Sequence, residues 1–229
     1  MKLVRKTGNK AVYCVSSLDV LTDCFFDDFR WLDGTEIAIF CPEKPILDEG
    51  RKLAGVSQSH SLWVAYGANV HDISAKACPR SIMNMTISDL PDDSELTRLF
   101  IETREDYYRS IKKTMTEWQL KQRDSFIKQQ LPSSRRIYIQ KNKEAIALLM
   151  LTKSKDLQEM PVDWVPWVWI SRSISSDERS FIHQHFRVWL GEQVVSVVQC
   201  VVSAYNLRSQ RFFKNLGFKP ECIHLIKPK

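Results

Sequence analysis

The sequence predicts an α/β fold of the α+β sandwich type, a mixed sheet flanked by helices, with a smaller N-terminal α/β domain ahead of it. Three observations predict this. After residue 81 the apolar periodicity switches between two and about 3.6 residues in the order β-α-α-β-β-β-α-β-α-β. The run 194–204, "VVSVVQCVVSA", is apolar almost throughout, as a central strand covered on both faces would be. It leads straight into "NLRSQRFFKNLGFKP" (206–220): an asparagine, a short basic helix, then a glycine and a phenylalanine.

The elements follow in order. Two domains, 1–81 and 82–229, are expected to join near "KACPRSIMNMT". The first reads as strands "AVYCVSS", "TEIAIFC" and "SLWVAYGANV", with a helix candidate at "LDEGRKLAG". The second opens with a strand, "SIMNMTI". Asp89 or Asp92 then caps a helix whose acidic first turn suits its positive dipole end. That helix places Leu96, Leu99, Phe100 and Thr103 on one face, and "MTEWQLKQRDSFIKQQL" makes a second. Strands "RRIYIQ" and "AIALLML" flank "KNKE", where Asn142 takes positive φ in a tight hairpin turn. "VPWVWIS" is a strand. "SSDERSFIHQHFRVWLGEQ" has helical spacing at Phe181, His185, Trp189 and Leu190, with Ser176 or Asp177 as cap. A helix over "RSQRFFKNLG" ends with Gly217 in the C′ position, and "CIHLIK" is the last strand.

Composition excludes several classes. With 229 residues, 44% apolar and 26% charged, the chain can bury a core and is not of disordered composition. No run approaches the roughly 18–20 apolar residues of a membrane span. "MKLVRKTGNKAVYC" has no apolar segment before a cleavage site, so a cytoplasmic protein is expected, with no membrane partner. Six scattered cysteines form no CxxC pair, and His183 and His185, two apart, face different ways on a helix, so no metal site is expected. The net charge of +6 arises wholly after residue 84, where 23 basic residues meet 17 acidic ones. A phosphate-bearing partner suits that half. No helix-turn-helix, zinc finger or aromatic RNA-binding pattern is present, so nucleic acid is not expected.

The element order and the stretch Asn206…Arg211-Phe212-Phe213-Lys214-Asn215-Leu216-Gly217-Phe218 resemble the GNAT superfamily of acyl-CoA N-acyltransferases, over about residues 82–229. The resemblance implies that the strands at 166–171 and 195–203 splay and that the pantetheine of acetyl-CoA, or another acyl-CoA, lies between them. Asn206 then ends an apolar strand where a polar ligand begins; equally, it caps an ordinary crossover helix. More faintly the whole chain resembles two-domain sugar-nucleotide N-acetyltransferases, whose N-terminal domain is a truncated GNAT-like fold. "LTDCFFDDFRW" and "LWVAYGANV" fall where comparable stretches occur, and Leu62–Ala68 echoes Phe212–Phe218.

What the resemblance implies for individual residues is mixed. The thioester carbonyl would meet backbone N–H groups at Ile170 and Ser171, and Asn206, Arg208 and Phe213 would lie along the cofactor. The pyrophosphate loop of the family should fall at "SISSDERSFI" (173–182), which holds no glycine. Arg172, Ser173, Ser176, Arg179 and Ser180 would serve there instead, against the like charge of Asp177 and Glu178; a normally capped helix without ligand is the alternative. The family's tyrosine acid is replaced by Phe213, leaving Tyr205 or water. Asp163, or Glu159, would be the base, unless each is a solvated loop carboxylate. Trp167 and Trp169 share a face that packs in the core or lines an acceptor pocket. The function implied is acyl transfer to a primary amine, an amino sugar or another small amine. The alternative is a GNAT-like scaffold without turnover. A homodimer is one assembly left open.

Overall fold

The computed structural model describes residues 2–7, 10–14, 36–40, 61–73, 85–88, 93–110, 114–115, 117–156, 160–194, 196–203 and 206–226. In chain order the strands and helices are β1 (Lys2–Thr7), β2 (Lys10–Cys14), β3 (Glu36–Phe40), β4 (Ser61–Asn69), β5 (Met85–Ser88), α1 (Asp93–Ser110) and α2 (Glu117–Ser125). They continue with β6 (Arg135–Lys141), β7 (Glu144–Lys155), β8 (Pro161–Trp164), β9 (Val168–Ile170), α3 (Ser176–Gly191), β10 (Val197–Ser203), α4 (Leu207–Asn215) and β11 (Lys219–Ile226). They gather into two compact units. One is Met1–Ile73 with Lys155–Val162 and Val194–Lys229; the other is Ser74–Ser154 with Asp163–Gln193.

In the first unit the strands lie in the order β1-β2-β3-β11-β4-β10. Only β2 and β3 run parallel among these pairs. The N-terminal strand β4 is therefore hydrogen-bonded on both edges to C-terminal strands, with Tyr66 opposite Cys200 and Val64 opposite Ile223. Being central, β4 buries both faces, and Val64, Ala65, Tyr66 and Ala68 are all enclosed. The strand β1, which the sequence reading missed, is a charged edge strand, and edge strands carry charge to discourage further pairing. On β10 the expectation of burial on both faces is corrected. Val198, Cys200 and Val202 are buried, whereas Val197, Gln199, Val201 and Ser203 on the other face are only partly so.

The helix α4 closes as its sequence predicts. Gly217 has φ of 100°; its N–H donates to the Lys214 carbonyl (3.0 Å), and that of Phe218 to the Phe213 carbonyl (3.0 Å). This is the Schellman pair of bonds, and its usual apolar contact is present, with the Phe213 and Phe218 rings 5.2 Å apart. Leu216, Phe213 and Phe218 are all buried. The "LGF" signature thus has a local cause: a left-handed residue stops the helix and turns two apolar side chains inward.

In the second unit β5, β6 and β7 form an antiparallel meander, and β9 pairs with β7. Asn142 (φ 51°) and Lys143 (φ 70°) make the β6–β7 turn, both left-handed as a two-residue hairpin requires. Leu96, Leu99 and Phe100 face inward from α1, joining Leu131, Tyr138, Leu148, Met150 and Trp167 in one core. Each such side chain contributes about 1.5–3 kcal/mol by burial. The Phe100 ring stacks on Phe126 (4.5 Å) and meets Trp167 edge-on (4.8 Å). Asp89 and Asp92, Glu159, and the segments "LDEGRKLAG" and "LTDCFFDDFRW" lie outside the described residues.

Two strand readings need correction. Where one strand, "VPWVWIS", was expected, the structure has β9 over Val168–Ile170 alone, because Pro166 has no N–H for the ladder. The extra strand β8 precedes it, contributing Pro161 and Val162 to the first unit and Asp163 and Trp164 to the second. After α2 the chain takes one π-type turn, Phe126–Gln130, which propensity does not foretell.

Candidate active site

The strand β9 is short, but its register decides which N–H groups are available. Ala147 lies opposite Ile170 and Leu149 opposite Val168. The Ser171 N–H donates to the Ile146 carbonyl (2.8 Å), and the Met150 N–H to the Trp167 carbonyl (3.1 Å). In an antiparallel ladder alternate residues turn their backbone groups to the partner. Trp167, Trp169 and Ser171 are therefore committed to β7, and the N–H groups of Val168 and Ile170 face the opposite edge. Of the two residues read from the sequence as donors to a thioester, Ser171 has its N–H engaged and Ile170 has its N–H pointing outward.

Beyond β9 the chain turns through Arg172 and Ser173, both exposed. The Ser171 and Ser173 hydroxyls lie 2.9 Å apart, and the Ser173 N–H donates to Ser171 Oγ at 3.3 Å. Helix α3 then begins with Ser175 as its cap, not Ser176 or Asp177. Ser175 Oγ accepts from the Glu178 N–H (3.2 Å), and Glu178 Oε2 accepts from the Ser175 N–H (2.7 Å). This capping box was legible as Ser175-x-x-Glu178 and was overlooked. Glu178 is buried, and its other oxygen pairs with Lys141. That pairing, with the Ser175 N–H, holds its carboxyl below the usual range. Of the two like charges at this loop, that of Glu178 is thus met from within. Ser176 and Ser180 are exposed, and Arg179 is half-buried. Arg179 and Arg187 flank His183 along α3 and, together with its burial, lower its proton affinity, burial being the larger cause.

Asp163 has no exposure at all, so the solvated-loop alternative does not apply. Its carboxylate forms an ion pair with Arg135 Nη2, and Arg135 Nη1 donates to Gln193 Oε1 at 2.6 Å. Gln193 Nε2 in turn donates to the Trp189 carbonyl. One guanidinium therefore holds β6, β8 and the end of α3. Neither Arg135 nor Gln193 was singled out from the sequence, since partners 28 and 58 positions away leave no local signal.

Asn206, Arg208 and Phe213 belong to the first unit, the residues 170–180 to the second. Asn206 is the cap of α4: its Oδ1 accepts from the Ser209 N–H (3.1 Å), and its own N–H donates to the Ser203 carbonyl (2.9 Å). No described residue accepts from its amide nitrogen. Arg208 is exposed on the first turn of α4, while the Phe213 ring belongs to the core. Tyr205 lies outside the described residues. Trp167 is buried and Trp169 packs partly buried against the same core. Among the described residues no cluster of side chains could hold a metal ion, and no helix is long and apolar enough to cross a membrane.

No family model matches the chain, and no curated protein matches it. Solved structures do. A Drosophila protein is 10% identical with a TM-score of 0.51, the match covering 88% of this chain and 63% of that one. A GCN5-related N-acetyltransferase from Sphaerobacter thermophilus is 8% identical (TM-score 0.48, 85% of this chain and 59% of that one). Another, from Kribbella flavida, is 14% identical (TM-score 0.45, 96% and 81%). At 10% identity the likeness to the Drosophila protein is one of fold alone, and this chain spans less than two thirds of that protein. With β5, two helices, the β6–β9 strands, α3, β10, the Asn206-capped α4 and β11 in sequence, the chain has a mixed α/β fold.

Proposed function

We propose that the chain transfers an acyl group from acyl-CoA to a primary amine. The observation that carries this reading is the outward-facing N–H of Ile170 on β9. A thioester oxygen accepting from it would gain stabilisation as negative charge develops on that oxygen. The amine nitrogen would attack the thioester carbon, the C–S bond would break, and the amide would form with loss of the amine proton. CoA would leave as a thiolate and take up the proton given up by the amine nitrogen, relayed by water because Phe213 has none to supply. The phosphates would meet Arg172, Ser173, Ser176, Arg179 and Ser180. The first turn of α3 keeps the N–H groups of Ser176 and Asp177 for them, since that of Glu178 serves the capping box. An amino sugar or small amine is the acceptor class favoured by the resemblance, and the cytoplasm the compartment.

The second reading is a scaffold without turnover. It is favoured by the same capping box, which caps α3 from its own residues. Calorimetry with acetyl-CoA, followed by release of free thiol on addition of an amine, separates the two. Micromolar binding with amine-dependent thiol release supports transfer. No heat and no thermal shift at millimolar cofactor favours the scaffold.

A further inference from the structure

A carboxylate outside the residues discussed so far is built into the sheet of the first unit. On β11 the register with β4 shifts between Pro220 and Cys222, so Glu221 is the extra residue of a bulge. Its side chain lies back across β4 at Gly67. A Cβ placed on Gly67 would come within 1.9 Å of Glu221 Oε1 and 2.2 Å of its carboxyl carbon, so any larger residue there would push this carboxylate aside. From the other side Gln199, directly opposite Gly67 on β10, donates through Nε2 to Glu221 Oε2 at 2.8 Å. Three adjacent strands thus each give one part: a bulge that aims the carboxylate, a glycine that makes its bed, and an amide that fixes one oxygen. Glycine in the middle of a central strand costs stability and commonly marks a close approach.

The geometry points to Glu221 Oε1 as the acceptor for a ligand's primary ammonium group. This rests on the acyl-transfer reading only in naming that ammonium as the acceptor substrate. Gln199 occupies Oε2 and leaves Oε1 with no partner among the described residues. The charged neighbour acting on Glu221 is another carboxylate, Asp156, which together with the dominant desolvation raises its proton affinity, against the Gln199 bond. Gln199 thus orients an exposed carboxylate, and among the described residues no cation answers its charge, which a protonated amine would supply. A neutral hydroxyl of the same shape would gain one ordinary hydrogen bond and no charge compensation.

The test is titration calorimetry of the full chain with two matched pairs, butylamine against butan-1-ol and glucosamine against glucose. The amine of at least one pair is expected to bind about tenfold or more tightly than its alcohol partner. Glu221→Gln should abolish that difference and leave acetyl-CoA binding unchanged. Gly67→Ala should do the same by displacing the carboxylate; if that variant does not fold, Glu221→Gln, an exposed and nearly isosteric change, decides alone. Amines that bind no better than alcohols at millimolar concentration, or a Glu221→Gln variant that keeps the preference, would overturn the assignment. Absence of acetyl-CoA binding in the parent overturns the transfer reading instead, and leaves an ammonium site standing if the amine still binds.

Discussion

Replacing Gly217 by alanine isolates the backbone term in the end of α4. At φ of 100° an L-residue is strained, and about 1–2 kcal/mol is the cost of that conformation for one with a Cβ. Space does not add to it. The nearest atom to a Cβ there is Ile73 Cγ1 at 3.9 Å, an ordinary contact that would return a little dispersion energy. The expected loss is therefore about 1–2 kcal/mol, lessened slightly by the smaller freedom of alanine in the unfolded chain. Gly217→Asn should lose less, since asparagine tolerates the left-handed region. Urea unfolding followed by circular dichroism measures both. Equal stability of parent and Gly217→Ala, or an asparagine variant no better than alanine, would refute the view that "LGF" exists to stop the helix.

Three further outcomes are expected. Asp163→Asn leaves Arg135 without its counter-charge and should cost about 3 kcal/mol, the low end for a broken buried pair because Arg135 is partly exposed. The double variant Arg135→Met, Asp163→Leu should recover most of it, and urea midpoints decide. Because the Glu178 carboxyl titrates below its unfolded value, its contribution is intact above about pH 4.3 and is lost as pH falls through the lower folded value. Glu178→Gln should flatten stability against pH in that acid range alone. Arg179→Ala should weaken acetyl-CoA binding by about 1.5–3 kcal/mol at fixed salt, and an unchanged constant would remove the α3 loop as the phosphate site.

The sequence was most legible where a local cause suffices. Gly217 and Phe218 could be read because a helix stop depends on the few residues around it, and Asn142 because a two-residue hairpin needs positive φ. Leu96, Leu99 and Phe100 were legible from period alone. What escaped depends on partners far along the chain. The Arg135–Asp163 pair, the Gln199–Glu221 bond over Gly67, and the place of β4 between β10 and β11 are fixed by sheet register, which no window of residues contains. Proline chemistry was legible but underweighted: Pro166 should have cut "VPWVWIS" before β9. Asn206 was legible as a helix cap, because that role needs only the Ser209 N–H three residues on.

The pairing of Val64 with Ile223 sets a timetable as well as a sheet. During synthesis β4 emerges long before either of the strands that flank it, β10 and β11. Until then a strand of small and apolar residues must wait with both edges unpaired, the condition in which strands seek foreign partners. Closing so long a loop is also slow, because its entropy is lost before any contact repays it. A chain stopped short of residue 219 would carry the second unit entire and the first unit without the strand that joins β3 to β4. Quality control acting on such a product would meet an open sheet, so β11 decides whether β4 is ever sheltered.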